Sequence, residues 1–222
     1  MERKIDKRRN YYAVYDTETC NTIDEPMMYD FGFAIIDKNG KVYEKFSFVI
    51  AEVYCGMKDV MQSAYFADKL PRYEEELANG TRQMVSIYTA RKIFHEMCKM
   101  YNVVACIAHN APFDYRSTSK TIRYTTKSAT RYFLPYGVEL WDTMQMAKDT
   151  FCKETMYREW CKANGYVCKN GTPRKTAEVL YRYISGIEDF EESHTGLEDV
   201  LIEKEIFVAC VRKHKPMRKS AF

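Results

Sequence analysis

Tyr11-Tyr12-Ala13-Val14-Tyr15-Asp16-Thr17-Glu18-Thr19 is an apolar run that closes on two carboxylates at i and i+2. Tyr11 to Tyr15 reads as a buried β-strand. Residues two apart in a strand share a face, so Asp16 and Glu18 would repel one another there. At the carboxyl end of the strand the pair makes sense if a divalent cation lies between them, and hard oxygen ligands suit Mg²⁺ or Mn²⁺. Spacing alone decides little, because Asp189-Phe190-Glu191 repeats it. The strand ahead of the pair, and acids further along the chain, give it weight.

Working outward, Asn21 to Pro26 is a polar connection, and Met28 to Asp37 turns apolar before Asn39-Gly40, a strong hairpin signal. Val42 to Ile50 alternates, with Val42, Phe46, Phe48 and Ile50 on one face. The chain therefore opens with three antiparallel strands. Residues 51–82 mix Met, Tyr and Phe with acids and are broken by Leu70-Pro71. They read as an irregular insert with short helices, covering one edge of a cleft. The insert's aromatics Tyr54, Tyr65, Phe66 and Tyr73 offer stacking to bases, but packing against the core is the preferred reading.

Val85 to Tyr101 has helical spacing, with Ile87, Ala90, Ile93, Phe94, Met97 and Tyr101 on one side. Val103 to Ala108 is a continuous apolar run, read as a strand covered on both faces and added in parallel after a crossover helix. It leads into His109-Asn110-Ala111-Pro112-Phe113-Asp114, where Pro112 suits the first turn of a helix carrying Asp114. Five cations and no acids then stand between Asp114 and Glu139: Arg116, Lys120, Arg123, Lys127 and Arg131. If this stretch is helical, they share a face. Tyr115, Tyr124, Tyr132 and Phe133 are interleaved with them, a mixture that suits the phosphates and bases of a single strand. Val138 to Trp141 reads as a strand, and Asp142 after it as structural. Helices follow at 144–151, 154–164 and 175–184, with a small hairpin at Asn170-Gly171. An acidic loop holds Asp189 and Glu191, and the last helix runs from His194 to Arg212 with Leu197, Val200, Leu201 and Val208 as its apolar face.

At 222 residues the chain suits one elaborated domain. We divide it into a basic N-terminal arm (1–10), a single catalytic domain (11–213, with the insert 51–82 beside the cleft) and a basic C-terminal tail (214–222). No stretch approaches the roughly 18 apolar residues of a membrane span, so no membrane partner is expected. The charged start lacks the apolar core of a secretory signal, and a cytoplasmic location is the expectation. The eight cysteines form no C-x-x-C pair, which argues for reduced thiols rather than a structural zinc site.

A fourth acid, Asp199, stands five residues after His194 on the last helix. Five residues turn a helix by about 140°, so His194 is better placed at the helix entry, on a loop, with Asp199 fixed within. His109 and Asp114 share the same separation, so order and conjunction count more than spacing. The order Asp16-Thr17-Glu18-Thr19, His109-Asn110-Ala111-Pro112-Phe113-Asp114 and His194-Thr195-Gly196-Leu197-Glu198-Asp199 resembles the DnaQ-like, DEDDh-type 3′→5′ exonucleases. Leu140-Trp141-Asp142-Thr143 is also similar to a strand-to-helix junction of that family. The segment 165–199 resembles small exonuclease proteins of phages and Gram-positive bacteria.

The resemblance implies an α/β, ribonuclease H-like fold: a mixed five-stranded sheet, the first three strands antiparallel, flanked by helices. It implies that Asp16, Glu18, Asp114 and Asp199 hold two Mg²⁺ or Mn²⁺ ions, with His194 as general base. The reaction would be hydrolysis of the 3′-terminal phosphodiester of single-stranded DNA or RNA, releasing nucleoside 5′-monophosphates. Thr17, Thr19 and Asn110 match motif positions near the terminal nucleotide, and Arg116, Lys120 and Arg123 are the candidates for holding the strand behind it. The alternative is a non-catalytic nucleic-acid-binding or polymerase-accessory module on the same fold, against which all five motif residues argue. DNA versus RNA stays open, as do a homodimer and a polymerase or replication partner.

Overall fold

The computed structural model describes residues 5–62, 64 and 67–222. Met1 to Lys4 of the N-terminal arm, and Tyr65 and Phe66 of the insert, lie outside the described residues. The first three strands are β1 (Tyr11–Cys20), β2 (Met27–Asp37) and β3 (Val42–Ile50), joined as antiparallel neighbours. β4 (Gln83–Val85) lies parallel to β3, while β5 (Val103–Ala108) and β6 (Glu139–Asp142) extend the other side in parallel from β1. The sheet order is β4-β3-β2-β1-β5-β6. The five expected strands are present in the expected sense, and the three-residue β4 adds one edge.

Helices cover both faces. On one side lie α1 (Ala51–Tyr54), α2 (Lys58–Gln62), α3 (Leu70–Ala78), α4 (Ile87–Met100) and α5 (Ala111–Thr126). On the other lie α6 (Thr143–Asp149), α7 (Thr155–Ala163), α8 (Ala177–Ser185) and α9 (Gly196–Arg212). β1 serves both layers by alternation: Tyr11, Ala13 and Tyr15 join the first core, Tyr12 and Val14 the second. The first core is aromatic. Phe94 of α4 meets Phe31 and Phe33 at centroid distances of 5.4 and 4.9 Å. Such pairs contribute about 0.5–1.5 kcal/mol each beyond the area they bury.

Several local readings change. β1 does not end at Asp16 but runs on to Cys20, because β2 keeps pairing with it; only the parallel partner β5 stops at Val14. The acid pair thus projects from within a strand, beyond the end of its neighbour. Pro71 starts α3 instead of breaking the insert, since a missing N–H costs nothing in a first turn. α4 begins at Ile87, after Ser86 caps it by accepting from the Thr89 N–H at 3.2 Å. Phe133 belongs to the core, 4.9 Å from Phe31, and is no partner for a base. Tyr73 is buried under Arg82, with Tyr54 beside it, so both pack the insert as preferred. Among the described residues no helix is long and apolar enough to cross a membrane.

The C-terminal segment returns to the free edge of β6. Asp142 N–H donates to the Lys219 carbonyl at 2.7 Å, and Ala221 N–H to Leu140 at 3.0 Å. At the other end, Arg9 reaches Asp37 at 3.3 Å.

Candidate active site

Asp16, Glu18, Asp114, His194 and Asp199 line one pocket of about 240 Å³. β1 supplies the first two. Continuing its alternation, Asp16 and Glu18 face α9, while Thr17 faces α5 and donates its hydroxyl to Asp114 Oδ1 at 2.8 Å. The Thr17 hydroxyl thus positions a carboxylate, and Thr17 itself lines the pocket. Asp114 sits in the first turn of α5, as Pro112 implies. Asn110 enters that helix at φ 64°, a left-handed conformation that asparagine tolerates. Asp142 holds the turn: its Oδ1 accepts from Asn110 N at 3.0 Å and from Met144 N at 2.8 Å, capping α6. It is structural, as the sequence indicates.

α9 brings the rest. His194 stands before it in a left-handed conformation, φ 51°, and Asp199 lies in its first turn. The entry of α9 rests directly on β2, with Gly32 against Gly196 and neither leaving room for a side chain. Asp30 Oδ2 accepts from Gly196 N at 3.0 Å, from Tyr73 Oη at 2.6 Å and from Arg82 Nη1 at 2.7 Å. The insert thus braces the helix that carries Asp199. In this setting Glu18, His194 and Asp199 each offer a ligand atom, all within 4.8 Å of one another.

Crowding shows in the titration of the acids. Burial raises Asp16 and Glu18 well above the carboxylate range, with the neighbouring carboxylates adding to it. Burial takes Asp114 to about 7, against the pull of the Thr17 hydroxyl, and Asp199 to about 8. Such a cluster holds protons where a cation would otherwise neutralise it. Asp199 Oδ1 and Glu203 Oε2 are buried without a hydrogen-bond partner among the described residues. Oxygen-only donors with orphaned atoms fit a hard divalent cation. His194 is lowered from its usual value by burial, then by Lys69, and so stays neutral at physiological pH.

Three further titratable residues of the pocket were not site candidates in the sequence: His109, Glu192 and Glu203. His109 Nε2 faces the Lys175 carbonyl at 2.8 Å and so carries the proton, leaving Nδ1 to accept from Thr143 Oγ1 at 2.9 Å. With both nitrogens engaged and burial lowering it to about 4, it is a neutral wall. Glu192, taken up in the acidic loop, is raised to about 7 by burial. Glu203 has one signal in the sequence, its position four residues after Asp199.

The other candidates stand outside this pocket. Thr19 is half-buried and Asn110 exposed. Arg116 lies over the Phe113 ring at 5.6 Å and donates to the Ile23 carbonyl at 3.2 Å. Lys120 pairs with Glu25, and Arg123 covers the Tyr132 ring at 4.7 Å. α5 ends at Thr126, so Lys127 and Arg131 leave the shared helical face. Arg131, Tyr132 and the fully exposed Tyr136 instead border a groove of about 810 Å³ that reaches Tyr115.

No family model and no curated protein sequence matches the chain. Solved structures do. Cell-death related nuclease 4 superposes with a TM-score of 0.54 at 9% identity, covering 95% of this chain and 67% of that one. Escherichia coli exonuclease I in complex with a dT13 oligonucleotide gives 0.53 at 14% identity, over 92% of this chain. Exonuclease I from Methylocaldum szegediense gives 0.50 at 15% identity, over 93%. This chain spans 41% of the length of either exonuclease I chain. The fold, an α/β ribonuclease H-like one, is shared with these nucleases.

Proposed function

We propose that this chain is a metal-dependent 3′→5′ exonuclease that hydrolyses the 3′-terminal phosphodiester of single-stranded DNA or RNA and releases nucleoside 5′-monophosphates. The observation that carries the reading is the convergence of Asp16, Glu18, Asp114, Asp199 and His194, from three distant parts of one chain, on a single pocket. The nuclease fold of the structural neighbours supports it. A cytoplasmic location goes with it, in keeping with eight unpaired cysteines.

Asp16, Glu18, Asp114 and Asp199 would hold two divalent cations, Mg²⁺ or Mn²⁺, which when bound supply charge stabilisation to the attacking and leaving oxygens of an in-line displacement. The chain's own groups do the rest. A ring nitrogen of neutral His194 accepts the proton of the attacking water, a role for which its unprotonated ring and its place in the pocket lining suit it. Thr17 fixes the orientation of Asp114. Thr19 and Asn110 stand nearest in sequence to these groups and would meet the terminal nucleotide. Arg116, Lys120 and Arg123 along α5 would meet the phosphates behind it. The exposed Tyr124, Tyr132 and Tyr136 offer stacking to unpaired bases.

The test is a time course on 3′- and 5′-labelled single-stranded DNA and RNA with Mg²⁺, Mn²⁺ or EDTA, for wild type and Asp16→Asn. A metal-dependent ladder that shortens from the 3′ end, absent in the variant, is the expected result. Binding without cleavage under every condition would move the chain to the accessory-module reading.

A further inference from the structure

Glu203 is only 4% exposed, and its Oε2 lacks a hydrogen-bond partner among the described residues. A carboxylate kept at that depth for structural reasons is normally hydrogen-bonded. The Glu203 side chain meets the His109 N–H, leaves Oε2 unpartnered among the described residues, and opens on the same pocket as Asp16, Asp114 and Asp199. Asp199 Oδ1, one helical turn away on the same face of α9, is likewise buried and without a partner there.

The placement has a regular geometry. α9 runs antiparallel to β1: Gly196 lies over the paired Asp16 and Gly32, and Phe207 packs on Tyr12 at a centroid distance of 5.0 Å. Four residues advance a helix by about 6 Å, and two residues advance a strand by about 6.7 Å. The two acids of α9 thus stand at nearly the spacing of the two acids of β1 and line the same pocket with them.

We propose that Glu203 is a fifth cation-holding carboxylate, acting beside Asp16, Asp114 and Asp199 in the same pocket. This rests on the divalent-cation centre proposed above and extends it by a residue outside the three motifs. It adds a further carboxylate donor to the centre, so the protein binds its ions more tightly than with four.

The test uses Mn²⁺ alone, without nucleic acid. The whole chain is freed of metal and titrated with Mn²⁺ by calorimetry, with free Mn²⁺ followed by electron paramagnetic resonance, for wild type, Glu203→Gln and Asp16→Asn. Glu203→Gln should weaken Mn²⁺ binding about tenfold or more, or lose one bound ion, with the thermal stability of the metal-free protein kept or raised. Wild-type affinity and stoichiometry in Glu203→Gln, with Asp16→Asn impaired, would overturn the role of Glu203 alone. Wild-type binding in both variants would overturn the cation centre itself. Should Glu203→Gln not fold, Glu203→Asp carries the test, since it keeps the charge and draws it back by one methylene. Weakened Mn²⁺ binding there supports the proposal, and unchanged binding overturns it.

Discussion

Gly32→Ala should separate the fold from its site. Gly32 lies in β2, held between β1 and β3 and directly paired with Asp16. A Cβ there would stand 2.2 Å from the Gly196 carbonyl carbon and 2.3 Å from Leu197 N, where ordinary contact begins at 3.4 Å. Every clashing atom is backbone, so no side chain can swing aside. β2 is central in the sheet and cannot yield, so the entry of α9 must lift by about 1 Å, which strains the 3.0 Å bond from Gly196 N to Asp30. Overpacking of this kind costs about 3 kcal/mol, and for a chain of this size that lowers Tm by about 6–12 °C. Because α9 carries Asp199 and its entry carries His194, a displacement of about 1 Å should also cost about a hundredfold in turnover. Thermal melts by circular dichroism and release of mononucleotide from a 3′-labelled oligonucleotide measure the two effects. Gly80→Ala is the control: its φ is +76° but nothing lies within 4 Å, so it reports the loss of a glycine without the contact. If Gly32→Ala melts and turns over like Gly80→Ala, the Gly32–Gly196 contact does not set the position of α9.

Asp16→Asn and His194→Ala should fold normally yet lose about a hundredfold or more in turnover; near-wild-type rates in either would refute its role. Asp30→Asn leaves Arg82, itself buried, without the opposite charge 2.7 Å away, and should lose about 3 kcal/mol in urea unfolding; a loss under about 1 kcal/mol would show that Glu76 alone can satisfy Arg82. Without divalent cations, stability should fall as pH rises from about 6.5 to about 8. In that window Asp114 and Asp199 still hold protons that the unfolded chain, with carboxylate pKa values of about 4, has lost. The folded state therefore binds more protons, and stability drops with rising pH; His109 and His194, both lowered, push the other way only below about 6.5. Saturating Mg²⁺ should flatten the slope, and a metal-free melt that is flat or rises from pH 6.5 to 8 would contradict the crowding of acids.

Much of this was legible in the chain because period and punctuation carry it. The alternation of β1, the Asn39-Gly40 turn and the apolar run at 103–108 are local signals, and the antiparallel opening follows from them. Pro112 placed Asp114 in a helix, and the separation of His194 from Asp199 placed one outside a helix and the other within. What sequence hides is determined by partners. β4 is three residues long and exists only because β3 offers an edge. β1 outruns its apolar stretch because β2 holds it. Phe133 reads like its exposed tyrosine neighbours until Phe31 and Phe94 surround it. Glu203 sits among Glu198, Lys204 and Glu205, and only its place four residues after Asp199 marks it as the acid that faces inward.

The acids and the braces explain each other. Asp16 and Glu18 on β1 face Asp199 and Glu203 on α9 across the pocket, and wherever these acids ionise their repulsion acts to push the helix off the sheet. Three things oppose it at the helix entry: the contact of Gly32 with Gly196, the Asp30 knot, and the Arg72–Glu198 pair at 2.6 Å. The last is exposed on both sides and contributes little. The Asp30 knot is buried and joins β2, α3 and α9 through charge-assisted bonds, so it bears most of the electrostatic load. Further along α9, Ile206 and Phe207 add apolar packing. A divalent cation among these acids would turn repulsion into attraction, and the demand on the braces would vanish. Loss of the knot should therefore be felt far more in metal-free protein than in protein saturated with Mg²⁺. Asp30→Asn measured with and without the ion decides it: equal losses in the two conditions would mean that the knot steadies the insert and has no part in holding α9 over the acids.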